Sequence, residues 1–159
     1  MSKKSAGLLV YRFTEEQPQV LLVHPGGPFY VKKDEGVWSV PKGEYGESEE
    51  PQAVAMREFE EETGNSLRPG TSLFPLEPVK IKSGKEIQVW AAEADFPAPY
   101  ISSNTFEIEW PPHSGRKQEF PEADKAEWFD FERALLKIHP GQAPILLQVK
   151  GILQNRIRA

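Results

Sequence analysis

Cysteine is absent from this chain. Disulfides, thiolate zinc sites and cysteine nucleophiles are therefore excluded. No apolar run approaches the ~20 residues that span a bilayer. The opening segment MSKKSAGLLVYRF is too short and too soon polar for a secretory signal, so the expected location is cytoplasmic, with no membrane partner. Positive charge is also scarce. Nineteen Lys and Arg against 24 Asp and Glu give a net charge of -5. That balance argues against binding a nucleic-acid polymer, which usually needs a basic stripe. It leaves open a nucleotide substrate delivered with a divalent metal. The three histidines, His24, His113 and His139, lack metal-ligand spacing. None is assigned a role, although a loop histidine such as His113 could assist proton transfer.

What is present reads as globular: 38% hydrophobic and 27% charged residues. A length of 159 residues suits a single domain over residues 1–159. SAGLLVYRF and PQVLLVHP, joined by TEEQ, predict a strand hairpin. PGGP and FYVKKDEG predict a loop, and GVWSVPKG a brief extended segment stopped by Pro41. Pro51 then suits the first turn of a helix, AVAMREFEEET continues it with good helix formers, and Gly64 caps its end. SLFPLEPVKIK and KEIQVWAAEAD, flanking the turn-like SGK, predict another strand pair. ISSNTFEIEWPP predicts a short strand, HSGRKQEFPEADK a polar loop, and AEWFDF a strand. FERALLKI and ILLQVKGILQNRI predict two further helices separated by HPGQAP. The interleaving implies a mixed sheet covered by helices. No repeat, low-complexity block or linker interrupts it.

Eight glutamates lie between Glu44 and Glu62. At ~100° per residue, Glu58, Glu61 and Glu62 fall within one arc roughly 100° wide, with Ala53, Met56 and Phe59 on a different face to pack against the sheet. Three like charges on one stripe repel by a few tenths of a kcal/mol per pair. Their position toward the helix C-terminus is also disfavoured by the dipole. A solvated acidic face is the ordinary reading of such a run. A bound hard cation would remove the electrostatic objection.

The spacing decides between these. Gly43, Glu49, Arg57, Glu58, Phe59, Glu61, Glu62 and Gly64 fit G-x5-E-x7-R-E-(apolar)-x-E-E-x-G. This resembles the signature of the Nudix hydrolases. Seven fixed positions match by chance in roughly one window per 10⁹, and glutamate enrichment raises that about twentyfold. The resemblance implies the Nudix fold, an α+β arrangement in which a mixed sheet is flanked by helices as an α/β/α sandwich. It also implies hydrolysis of a nucleoside diphosphate linked to another group, dependent on Mg2+ or Mn2+. Asn65 departs from the aliphatic residue usual after the last glycine, and Leu67 is the candidate to supply the missing packing.

The resemblance further implies roles. Glu61 and Glu62 are the principal metal ligands, joined by a backbone carbonyl near Lys42 or Gly43. Glu58 is a further ligand or orients the attacking water. Arg57 pairs with Glu49 and ties the loop to the helix, while Gly43 and Gly64 shape the turn and the helix end. One more acid is expected outside the box, before the strand carrying Trp128. Glu122 is the first candidate and Glu119 the second, with Glu107 and Glu109 as outsiders. WSVPKGE looks more like members that act on dinucleoside polyphosphates or nucleoside triphosphates than like those that act on sugar nucleotides. Lys42, Lys32, Lys33 and Arg116 are candidates to meet phosphate. Phe29, Tyr30, Trp90 and Trp110 are candidates to stack on a base, although aromatics in a small domain are usually core.

Two alternatives remain in view. An isomerase branch of the family depends on a reactive cysteine, which this chain lacks. A catalytically silent nucleotide-binding module would usually have lost one of the box carboxylates, and all three are present. The expected partner is a small nucleotide-type substrate, and the expected assembly a monomer or homodimer.

Overall fold

The two apolar runs near the start form the longest strands of the sheet, β1 (Lys4–Thr14) and β2 (Gln17–Pro25), paired antiparallel with Tyr11 opposite Val20. The structure, a computed structural model, describes residues 3–15, 17–96 and 105–158, with side chains as far as residue 155. A short strand β3 (Lys42–Glu44) pairs antiparallel with the start of β1 and sets Gly43 opposite Ala6. After helix α1 (Pro51–Thr63) come β4 (Phe74–Pro75), β5 (Val79–Lys80) and β6 (Glu86–Glu93). β6 runs parallel to β1, while β4 and β5 pair with β6 antiparallel. β9 (Ala123–Asp130) closes the sheet against β2, giving the order β4-β6-β1-β2-β9. Helices α2 (Phe131–Lys137) and α3 (Ala143–Arg158) follow. The sheet is mixed and helices cover both faces.

Period-two alternation in β1 divides the core in two. Leu9 and Tyr11 face one way with Val20, Leu22, Val89, Ile145 and Val149, under α2 and α3. Ala6, Leu8 and Val10 face the other way with Leu21, Val23 and Ala92, under Val54, Ala55 and Phe59 of α1. Burying Phe59 stabilises this layer by up to about 3 kcal/mol.

α1 begins at Pro51, where the missing N–H costs no intrahelical bond, although Glu50 gives no side-chain cap. It ends at Gly64, whose φ of 72° is left-handed and whose N–H reaches Glu60 O at 2.9 Å. Asn65 fits this end by donating from its amide to Thr63 Oγ1 and from its side chain to Thr63 O. Leu67 packs on the α1 side of the core, supplying the contact that Asn65 does not.

Two expectations need correction. The polar segment HSGRKQEFPEADK is not all loop: Lys117–Pro121 forms β8, paired with β7 (Thr105–Glu109) in a separate hairpin. Its strand character was hidden because Phe120 is its one large apolar residue; the pairing sets Phe106 opposite Phe120 and Glu107 opposite Glu119. The first four residues predicted for β7, 101–104, lie outside the described residues. The packing face of α1 also differs. Ala53 is exposed and Met56 partly so, whereas Val54, Ala55, Phe59, Glu62 and Thr63 are buried.

Candidate functional site

At about 100° per residue, the inward arc of α1 runs from Val54 through partly buried Glu58, then Glu62, Ala55 and Phe59, to Thr63. Glu62 therefore lies near the middle of the inward face, not on a separate solvent stripe. The helix packs on β1, β3, β6 and β9, so its carboxylates are carried toward β3 and β9. The side chain of Glu58 is 14% exposed and that of Glu61 32%, while Glu62 as a residue is 8% exposed. Three glutamates of one motif thus occupy three different environments.

Burial is the main cause of the behaviour of the inner pair. Desolvation, reinforced by the charge of Glu58, pushes the carboxyl of Glu62 up to about 9. Desolvation and then the charge of Glu61 push Glu58 up as well. The two side chains share a hydrogen bond, which fits a proton held on Glu62 and donated to ionised Glu58. Glu62 Oε2 also accepts the backbone N–H of Lys42 at 3.1 Å, fastening α1 to β3.

The β3 backbone leaves room for this pair at a single atom. A Cβ at Gly43 would stand 2.3 Å from Glu58 Cδ and 2.4 Å from Oε1. Glycine at 43 is what lets the Glu58 carboxyl come this close to β3. Lys42 is pulled down by burial and by the neighbouring charge of Lys85, with Glu62 the leading opposing charge. Its ammonium makes no ion pair among the described residues. Lys85 itself is bound to Glu44 at 3.1 Å.

Arg57 reaches Glu49 at 3.4 Å, Glu58 at 3.7 Å and Glu61 at 3.9 Å. Glu49 in turn accepts from Gly46 N at 3.0 Å. The pair expected to tie loop to helix is formed, and the guanidinium also offsets part of the repulsion along the stripe. Of the two acids outside the motif, Glu122 raises the carboxyls of both Glu58 and Glu62. Glu119 stands in β8 opposite Glu107. Glu107 meets Lys117, and Glu109 accepts from His113 N at 2.7 Å, so both serve the β7–β8 hairpin.

The candidate cations are dispersed. Lys33 lies over the Tyr30 ring at 5.7 Å, and Lys32 is exposed on the same loop. Arg116 and His113 sit at the hairpin tip. From Arg116 to Glu122 is six residues, roughly 20 Å along an extended strand. Trp90 belongs to the α1-side core, whereas Phe29 meets Trp110 edge to face with ring centres 5.4 Å apart.

One buried residue had been given no role. His24 is 2% exposed, with Nδ1 2.7 Å from Asp124 Oδ1 and Nε2 2.7 Å from Lys33 O. It ties the 26–36 loop to the strand that follows Glu122. Its signal was the alternation of β2, which puts position 24 on the same face as Val20 and Leu22. His139 caps the turn at Gly141 with Nδ1 accepting at 3.0 Å.

Among the described residues, no three His, Cys, Asp or Glu side chains already surround one point as ligands. Glu61, Glu62 and Glu122 nevertheless act on Glu58, Glu58 and Glu122 act on Glu62, and this inner pair resists ionisation. These carboxylate oxygens are hard donors, and a divalent cation would favour the charged forms that burial opposes. The donor set fits magnesium or manganese.

The family model described as "NUDIX domain" matches residues 1–149. No curated protein sequence matches the chain. Among solved structures, an Ap4A hydrolase from C. elegans is similar, with TM-score 0.67 and 21% identity, covering 96% of this chain and 98% of that one. The NUDIX domain of Shewanella oneidensis NrtR, complexed with ADP ribose, is similar with TM-score 0.67 and 16% identity, covering 96% and 89%. A Nudix hydrolase from M. smegmatis, RenU, is similar with TM-score 0.64 and 20% identity, covering 96% and 86%. At these identities the likeness concerns the fold.

Proposed function

The chain belongs to the Nudix hydrolase family, and from that premise we propose that it hydrolyses a diphosphate linkage in a nucleotide. The favoured substrates are nucleoside triphosphates and dinucleoside polyphosphates. The observation that carries this reading is the partly buried Glu58 beside the buried Glu62, facing β3 and flanked by Glu61 and Glu122. Nothing in core packing calls for two carboxyls at the centre of a helix's inward face.

A diphosphate repels an attacking nucleophile and leaves with added negative charge. Glu58, Glu61, Glu62 and Glu122 would hold a divalent cation, which would supply charge neutralisation and lower the pKa of water when bound. The chain's own residues do the rest. Glu62 anchors the helix to β3, so the carboxylates keep a fixed relation to the backbone carbonyls near Lys42 and Gly43. Glu58, once ionised, accepts a proton from water or holds it in line. Arg57 restrains Glu58 and Glu61 from one side. Lys42, without an ion pair among the described residues, is available to phosphate, with Lys33 and Arg116 as outer candidates.

The test is a panel of nucleoside triphosphates, dinucleoside polyphosphates and nucleotide sugars assayed with magnesium, with products resolved. Pyrophosphate plus a monophosphate identifies a triphosphate substrate, and ATP released from a diadenosine compound identifies a dinucleoside one. Binding without turnover across the panel, with magnesium and manganese both tried, would replace hydrolysis by the silent-module reading.

A further inference from the structure

The loop after β2 exposes three consecutive large apolar side chains, Phe29, Tyr30 and Val31, the first 53% and the last 68% in contact with solvent. The carboxylate cluster uses none of them. Phe29 is nevertheless not adrift: Trp110, at the end of β7, holds it edge to face at 80°. Two lysines, Lys32 and Lys33, follow directly, and the ammonium of Lys33 lies over Tyr30.

The loop is pinned to the segment that carries Glu122. Gly26 N donates to Glu122 O at 3.0 Å, and a Cβ on Gly26 would stand 1.9 Å from Pro121 O. Gly27, at φ +97°, lies under Phe106, whose Cζ would be 2.8 Å from an added Cβ. At the other end, His24 holds the carbonyl of Lys33. Phe29 follows Gly26 by three residues, so at most about 11 Å of chain separates them. An aromatic face with adjoining ammonium groups, fixed beside acids suited to a cation, matches a planar base joined to a polyphosphate.

We propose that Phe29 and Trp110, with Tyr30 and Lys33 beside them, form a stacking ledge for the nucleobase of the substrate. The ledge rests on the hydrolase reading for its substrate class but on separate residues for its location. Stacking tolerates any base, so the ledge contributes affinity more than base selectivity.

The test uses the full chain with magnesium, titrated calorimetrically with α,β-methylene ATP and, separately, with inorganic tripolyphosphate. Phe29→Ala is expected to weaken the nucleotide roughly tenfold, to leave tripolyphosphate unchanged, and to be rescued by Phe29→Trp. Loss of affinity for both ligands, or for neither, overturns the ledge, as does a wild-type chain that binds no nucleotide. The two readings fail separately. Nucleotide binding that depends on Phe29, with no turnover of any panel compound, removes hydrolysis and keeps the ledge. Turnover with Kd and KM unaltered by Phe29→Ala removes the ledge alone.

Discussion

Gly43 and Glu58 are fitted to one another: the carboxyl of Glu58 lies in the space that a methyl group on Gly43 would fill. The obstructing atoms belong to the far end of a flexible side chain, so the chain can adapt to Gly43→Ala by turning that carboxyl away. The expected result is a fall in kcat of at least about tenfold, with unfolding free energy changed by less than about 1 kcal/mol. Denaturant titration beside steady-state kinetics checks both; unchanged turnover would free Glu58 from any role that depends on its position.

Glu61 and Glu62 separate chemistry from architecture. Glutamine at either position should cut turnover more than tenfold while preserving the fold, because the amide oxygen at position 62 can still accept from Lys42 N. Alanine distinguishes them. Glu62→Ala leaves that N–H without its partner and should cost about 1–3 kcal/mol, whereas Glu61→Ala should cost much less. Equal costs in chemical denaturation would remove the latch.

The raised carboxyl of Glu62 predicts a direction for stability in metal-free buffer. Between its ordinary value of 4.5 and about 9, the folded protein holds a proton that the unfolded chain has released. Stability from this group is therefore fully present below 4.5 and is lost as pH rises toward 9, with a slope of at most about 1.4 kcal/mol per pH unit. Glu62→Gln should flatten that fall. A wild-type profile that rises across the window would contradict the assignment.

Magnesium binding should expel the same proton. Calorimetric titrations in buffers of different ionisation enthalpy, at pH 7, should report release of up to about one proton per ion bound, and near zero for Glu62→Gln. Chelation of the wild-type protein should abolish turnover, with activity restored by magnesium or manganese.

Gly26→Ala tests the link between loop and Glu122. Here the obstructing atom is backbone, Pro121 O, so the loop must move away from the junction of β8 and β9. Loss of about 1–3 kcal/mol in stability is expected, together with weaker magnesium binding, because Glu122 shares the displaced segment. Stability lost with magnesium affinity intact would show that Glu122 is not a ligand.

The motif and its helix were legible because each had a local signal: Pro51 and Gly64 mark the ends, and the glutamate spacing marks the content. Glu122 was a candidate from its distance to Trp128 alone; its charge acts on Glu58 and Glu62, whereas Glu119 stands in β8 opposite Glu107. The inward face of α1 was misjudged because the packing face was read from apolar residues spaced by three, Ala53, Met56 and Phe59, apart from the glutamates. The inward arc includes buried Glu62 and partly buried Glu58, so Ala53 faces water. β8 was missed because one Phe120 among charged neighbours gives too short an alternation. The bonds of His24 to Asp124 and Lys33 join residues that no sequence pattern relates.

The amide of Lys42 resting on Glu62 has a bearing on how such a scaffold could age. A descendant relieved of catalysis could shed Glu61 cheaply, but would be slow to part with Glu62, since the same oxygen also secures the joint between strand and helix. An acid surviving at that one position is therefore poor testimony that a relative still works.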